Sequence, residues 1–104
     1  MFDPHHNAVK DYYLVHGDLA GSWNGLDKNI IFVNWNFDKR DQSLKFFADL
    51  GHKQVIAGYY DDDVANTRKW LDSAAKVNGV VGIMYTTWKH NYDDLERFAN
   101  ECRR

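Results

Sequence analysis

Three stretches of the chain are nearly unbroken apolar runs, and each ends abruptly in polar or aromatic residues. Ile30-Ile31-Phe32-Val33 leads into Asn34-Trp35-Asn36. Gln54-Val55-Ile56-Ala57-Gly58-Tyr59-Tyr60 stops at Asp61-Asp62-Asp63, and Val80-Val81-Gly82-Ile83-Met84-Tyr85 gives way to Thr86-Thr87-Trp88. Runs this short have the length of strands. Continuous rather than alternating hydrophobicity predicts strands covered on both faces, as parallel strands are.

The segments between them carry a different period. Leu44, Phe47 and Ala48 recur at helical spacing after Asp41, a capping residue, and before Gly51, a helix stop. Val64, Thr67, Trp70-Leu71 and Ala74-Ala75 do the same until Asn78-Gly79. Tyr92, Leu95, Phe98 and Ala99 form a third pattern, with Asp93, Asp94 and Glu96 near its start and Arg103-Arg104 at its end. Those charges complement the helix dipole. The expected fold class is therefore α/β, with three main parallel strands alternating with helices through right-handed crossovers. A short extra N-terminal strand, Asp11-Tyr12-Tyr13-Leu14-Val15, is added to that expectation. One domain spans residues 1–104, with residues 1–29 an irregular region that holds the only proline, Pro4, and a glycine-rich stretch around Trp23.

Composition narrows the function classes. Hydrophobic residues make up 44% and charged residues 27%, which fits a folded chain rather than a disordered one. Thirteen basic against fifteen acidic residues leave −2, with no electrostatic footprint for nucleic acid or an anionic membrane. No window is apolar enough to span a bilayer, and the N-terminus lacks a signal pattern. A soluble, cytoplasmic location is compatible with this, and the compartment stays open. The lone Cys102 cannot make an internal disulfide. No cofactor is expected, because residues 17–25 lack the glycine spacings of a phosphate cradle. His5 and His6 adjoin Asp3 and Asn7, but a zinc site needs further ligands that the sequence does not supply. A mobile polar loop accounts for them.

Aromatic content is high, at 15%, and it concentrates where the strands end. In parallel α/β folds ligands meet the carboxyl ends of strands. Those ends carry Asn34, Trp35 and Asn36; Tyr59, Tyr60 and Asp61; and Tyr85, Thr86, Thr87 and Trp88. Flat rings beside amides, hydroxyls and a carboxylate suit a sugar, which offers an apolar C–H face and directed hydroxyls. The plain structural reading is that Trp35 and Trp88 plug the end of the sheet, and that one of Tyr59 and Tyr85 points into the core. Asp61-Asp62-Asp63 reads mainly as a helix-capping run, with only Asp61 placed for a site role.

Three stretches together resemble the C-terminal part of a (β/α)8-barrel glycoside hydrolase of the family 20, β-N-acetylhexosaminidase-like group. Met1-Phe2-Asp3-Pro4-His5-His6-Asn7 is similar to a loop after a central strand. Residues 31–35 and Gly58-Tyr59-Tyr60-Asp61 resemble the ends of the sixth and seventh strands. Residues 79–88 resemble the eighth, which in that group ends in a substrate-facing tryptophan. The resemblance implies that Trp88 stacks on a sugar, that Tyr60 and Asp61 bind hydroxyls, that Trp35 walls the pocket, and that Asp3 lies near the rim. Asn36 and Thr87 complete the expected substrate-binding set. Lys89 and His90 stand where the group often has a glutamate, and its acid/base pair belongs to an earlier strand. Glycoside hydrolysis ordinarily uses two carboxyl groups across the scissile bond. Asp3 and Asp61 are the candidates here, because Glu96 and Glu101 fall on the last helix.

The expected function is a fragment or truncated relative of such an enzyme, with a carbohydrate-binding rim and an incomplete catalytic apparatus. The alternative is an independent small α/β binding module acting as a homo-oligomer. A small enzyme with a site assembled by oligomerisation is a third reading. About eight strands are needed to close a barrel. Three leave open edges and an apolar inner face, which predicts self-association.

Overall fold

The computed structural model describes residues 2–12 and 17–103. Strand β1 (Phe32–Asn34) is followed by a 3-10 turn (Phe37–Lys39) that runs into helix α1 (Arg40–Asp49). Then come β2 (Gln54–Tyr59), α2 (Asn66–Ala74), β3 (Val80–Thr86) and α3 (Leu95–Cys102). The strands form one parallel sheet in the order β1-β2-β3. It is an open α/β sheet, laid out like a sector of a (β/α)8 barrel.

Local chemistry explains the boundaries. Gly51, at φ 85°, takes the left-handed conformation that ends α1, and the N–H of the following His52 bonds back to the Phe47 carbonyl at 3.0 Å. Gly79, at φ 89°, lies so close to the His52 carbonyl that a β-carbon there would sit 2.8 Å from its oxygen. Asp63 caps the turn into α2 by accepting the Ala65 N–H at 2.8 Å. Asp41 does not cap α1. The helix already begins at Arg40, and Asp41 pairs instead with Lys76 across the surface at 3.1 Å.

The expectation of strands covered on both faces is corrected. Burial alternates along β1 and β2, as in a sheet packed on one side. Phe32, Asn34, Gln54 and Ile56 face the helices, while Val33 remains 54% exposed. A strand order that never reverses, joined by crossovers of one hand, sends every helix to the same side. The helices pack neighbour on neighbour there, and Leu44, Ile56, Tyr60, Val64, Trp70 and Phe98 form the core beneath them.

A buried polar link ties the layers. The Gln54 side chain is fully buried, donates to the Leu44 carbonyl at 2.9 Å and accepts from Asn34 Nδ2 at 2.6 Å. One amide thereby joins β1, β2 and α1 with its donor and acceptor both engaged.

The N-terminal segment is a docked turn, not the mobile polar loop expected. The Asp3 carbonyl accepts the N–H groups of His6, Asn7 and Ala8, and its carboxylate accepts from the His5 N–H and from Ser43 Oγ on α1. Phe2 sets its ring edge against Phe32, and Ala8 is buried. The expected strand at residues 11–15 falls mostly outside the described residues. Asp11 and Tyr12, which are described, are not in a strand, and Asp11 has φ 63°.

Candidate functional site

Because β1, β2 and β3 run the same way, their C-terminal ends share one edge of the sheet. The register pairs Val33 with Val55 and Val55 with Gly82, then Ala57 with Met84 and Tyr59 with Thr86. Paired residues project from the same face, here the one the helices leave uncovered. At its C-terminal end a cleft of about 660 Å³ is lined by Trp35, Ala57, Tyr59, Thr86, Thr87 and Trp88.

Aromatic rings dominate this cleft. Trp88 is 82% exposed and Trp35 53% exposed. The His6 imidazole stands edge-on to the Trp35 ring at 4.5 Å between centroids and braces it from the N-terminal turn. The threonine hydroxyls spend their protons within the fold: Thr86 donates to the Gly58 carbonyl and Thr87 to the Asp61 carboxylate. The Thr87 oxygen also accepts the Asn91 N–H at 3.0 Å, so this hydroxyl is engaged on both sides within the fold. Desolvation raises the Tyr59 phenol above its ordinary range, and the charges of Asp62 and Asp61 and a hydrogen bond to Asp61 add to the effect.

Asp61 organises the loop after β3. Its carboxylate accepts the Thr87 hydroxyl and the backbone N–H groups of Trp88 at 2.7 Å and Lys89 at 3.0 Å. Desolvation pulls its carboxyl upward, but these hydrogen bonds outweigh it and hold the group below the usual carboxylate range. Asp61 is thus ionised at neutral pH, a poor general acid. Lys89, in turn, reaches Asp62 at 3.2 Å, and that bond, with the nearby Tyr59, holds its ammonium above the ordinary lysine range.

The residues singled out from the sequence divide into two groups. Trp35, Thr87 and Trp88 come together on the cleft, with Asp61 just behind its loop. Tyr60 does not: it is 1% exposed on the helix side, stacked on Tyr85 and packed against Phe98. Burial raises its hydroxyl far above the ordinary value, with Cys102 adding to the effect. Asn36 is half-buried before the 3-10 turn, where its carbonyl accepts the Lys39 N–H at 3.3 Å, and it does not line the cleft. Asp3 lines a separate small crevice with Phe2, Asn7, Asn34 and Trp35.

Tyr59 and Thr86 were expected at the strand ends but not among the substrate-binding residues, and Ala57 was not anticipated at all. The period of two along β2 held the signal, since Ile56, Gly58 and Tyr60 share one face and Ala57 and Tyr59 the other. No carboxylate lines the cleft among the described residues. Nor do three His, Cys, Asp or Glu side chains gather anywhere among them to hold a metal ion. No protein-family model matches the chain, and no curated protein or solved structure is significantly similar to it.

Proposed function

We propose that this chain is a fragment or truncated relative of a barrel glycoside hydrolase that binds carbohydrate in the Trp35–Trp88 cleft without completing the hydrolytic reaction. One observation carries the reading: Trp35, Tyr59 and Trp88 surround a sugar-sized cleft at the end of a parallel sheet. Exposed rings stack on the C–H face of a pyranose, and the Tyr59 and Thr86 hydroxyls beside them are polar groups suited to its hydroxyls. The non-catalytic half rests on the carboxylates. Asp3 and Asp61 are each committed to hydrogen bonds of the fold, and they do not flank one cavity. Two carboxyl groups on opposite sides of a glycosidic bond are what hydrolysis ordinarily requires.

The test is a tryptophan-fluorescence and calorimetric titration with N-acetylglucosamine, its β-1,4-linked dimer, cellobiose and lactose. At least one should bind saturably, and Trp88→Ala should weaken that binding about tenfold or more while leaving thermal stability nearly unchanged, because the ring is so exposed. Absence of binding to every sugar, or full binding by Trp88→Ala, overturns the reading. Turnover of an aryl-glycoside panel that vanishes in Asp61→Asn overturns its non-catalytic half.

A further inference from the structure

The cleft is rich in rings and short of free hydroxyl protons. Thr86 donates to the Gly58 carbonyl and Thr87 to the Asp61 carboxylate, and the Tyr59 phenol is hydrogen-bonded to Asp61 as well. The backbone N–H of Trp88 goes to the same carboxylate at 2.7 Å. A ligand group that depends on hydroxyl donors therefore competes with bonds the fold already makes. The rings of Trp35, Tyr59 and Trp88 carry no such commitment, and an aromatic face is electrostatically negative.

Charge points the same way. No residue lining the cleft is a Lys, Arg, His or carboxylate among the described residues. One hydrogen bond behind Thr87 and Trp88, however, stands the ionised Asp61, with Asp62 next to it in the chain. Lys89 is the cation of that loop, drawn to Asp62 at 3.2 Å with both side chains exposed. Two carboxylates against one ammonium leave this wall of the cleft negative, and a wall of one sign favours ligands of the other.

We infer that the cleft selects sugars bearing a free ammonium group, the amino sugars, over neutral and acidic ones. The inference rests on the sugar reading of the cleft and adds the substrate class. The pyranose stacks its C–H face on one ring, and its ammonium lies against the face of another, where the ring quadrupole attracts it. An ammonium brings its own protons and no acceptor, so it asks for no hydroxyl donor. An acetamido group in that position brings a carbonyl that needs one. A carboxylate there meets Asp61 and Asp62 as like charges.

Calorimetric titration of the whole chain with glucosamine, glucose, N-acetylglucosamine and glucuronate tests this. It is run at low salt, where surface charges are least screened, and at mildly acidic pH, where the glucosamine amine is charged. Glucosamine should bind about fivefold or more tighter than glucose or N-acetylglucosamine, and glucuronate should bind weakest. Lys89→Gln removes an exposed competing cation and should raise the glucosamine-to-glucose affinity ratio about twofold. Asp61→Asn should bring that ratio down toward one. A side chain that only shapes the loop would change both affinities together and leave the ratio where it was. Should Asp61→Asn fail to fold, Lys89→Gln still decides, because its side chain lies at the surface. Neutral sugars that bind as tightly as glucosamine, or a ratio that Lys89→Gln leaves unmoved, overturn the inference and leave the sugar reading standing. Absence of binding by all four overturns both.

Discussion

The carboxylate of Asp61, just past the end of β2, accepts the backbone N–H of Trp88, just past the end of β3, at 2.7 Å. The most exposed aromatic ring of the cleft is therefore positioned through its main chain, by a residue of the loop after the neighbouring strand. With the Thr87 and Lys89 bonds, one carboxylate sets the course of the whole β3–α3 connection.

Removing that clamp should have a pH signature. The Asp61 carboxyl is held below its ordinary value of 3.8, so its contribution to stability is present above that value and is lost as pH falls through the lower folded value. Asp61→Ala should melt at a lower temperature than the wild type at neutral pH. The gap should persist to about pH 4 and narrow below it. Melting curves from pH 7 to pH 2 check this, and a gap that stays constant in acid would contradict the assignment.

Gln54 is a sharper test of the buried link. Gln54→Leu keeps the approximate volume but strands Asn34 Nδ2 in the interior and removes the second hydrogen bond of the Leu44 carbonyl, which lies within α1. Leaving a buried donor unsatisfied costs about 1–3 kcal/mol. Urea denaturation should show the midpoint falling accordingly, and a variant as stable as the wild type would contradict the role of this link.

Gly58 allows no side chain. A β-carbon there would collide with the Tyr60 hydroxyl and come within 2.7 Å of Trp70 Nε1, both buried in the core. Gly58→Ala should destabilise the chain by about 1–3 kcal/mol through overpacking. For a domain of this size that lowers the melting temperature by about 4–8 °C per kcal/mol, readable by calorimetry.

Much of the architecture is legible in the order of residues. The three apolar runs are the three strands, and Gly51 and Gly79 stand at the left-handed turns that follow α1 and precede β3. Parallel pairing then follows from helices lying between strands, and it brings Trp35, Asp61 and Trp88 to one end of the sheet. The face assignment is less legible. Tyr59 and Tyr60 differ by one position, and with a period of two that difference separates the cleft from the core.

What the sequence determined by itself is the set of local preferences: strand, helix and stop, all encoded within a few residues by period and turn chemistry. What only the tertiary structure decided are the partnerships across distance, namely Asp3 with Ser43, Gln54 with Asn34 and Leu44, and Asp61 with Thr87, Trp88 and Lys89. It also decided that one face of the sheet goes without helices. An apolar run states that a strand has surface to bury. Which neighbours bury it depends on the hand of the crossovers and on how many strands are at hand, and no single segment contains either.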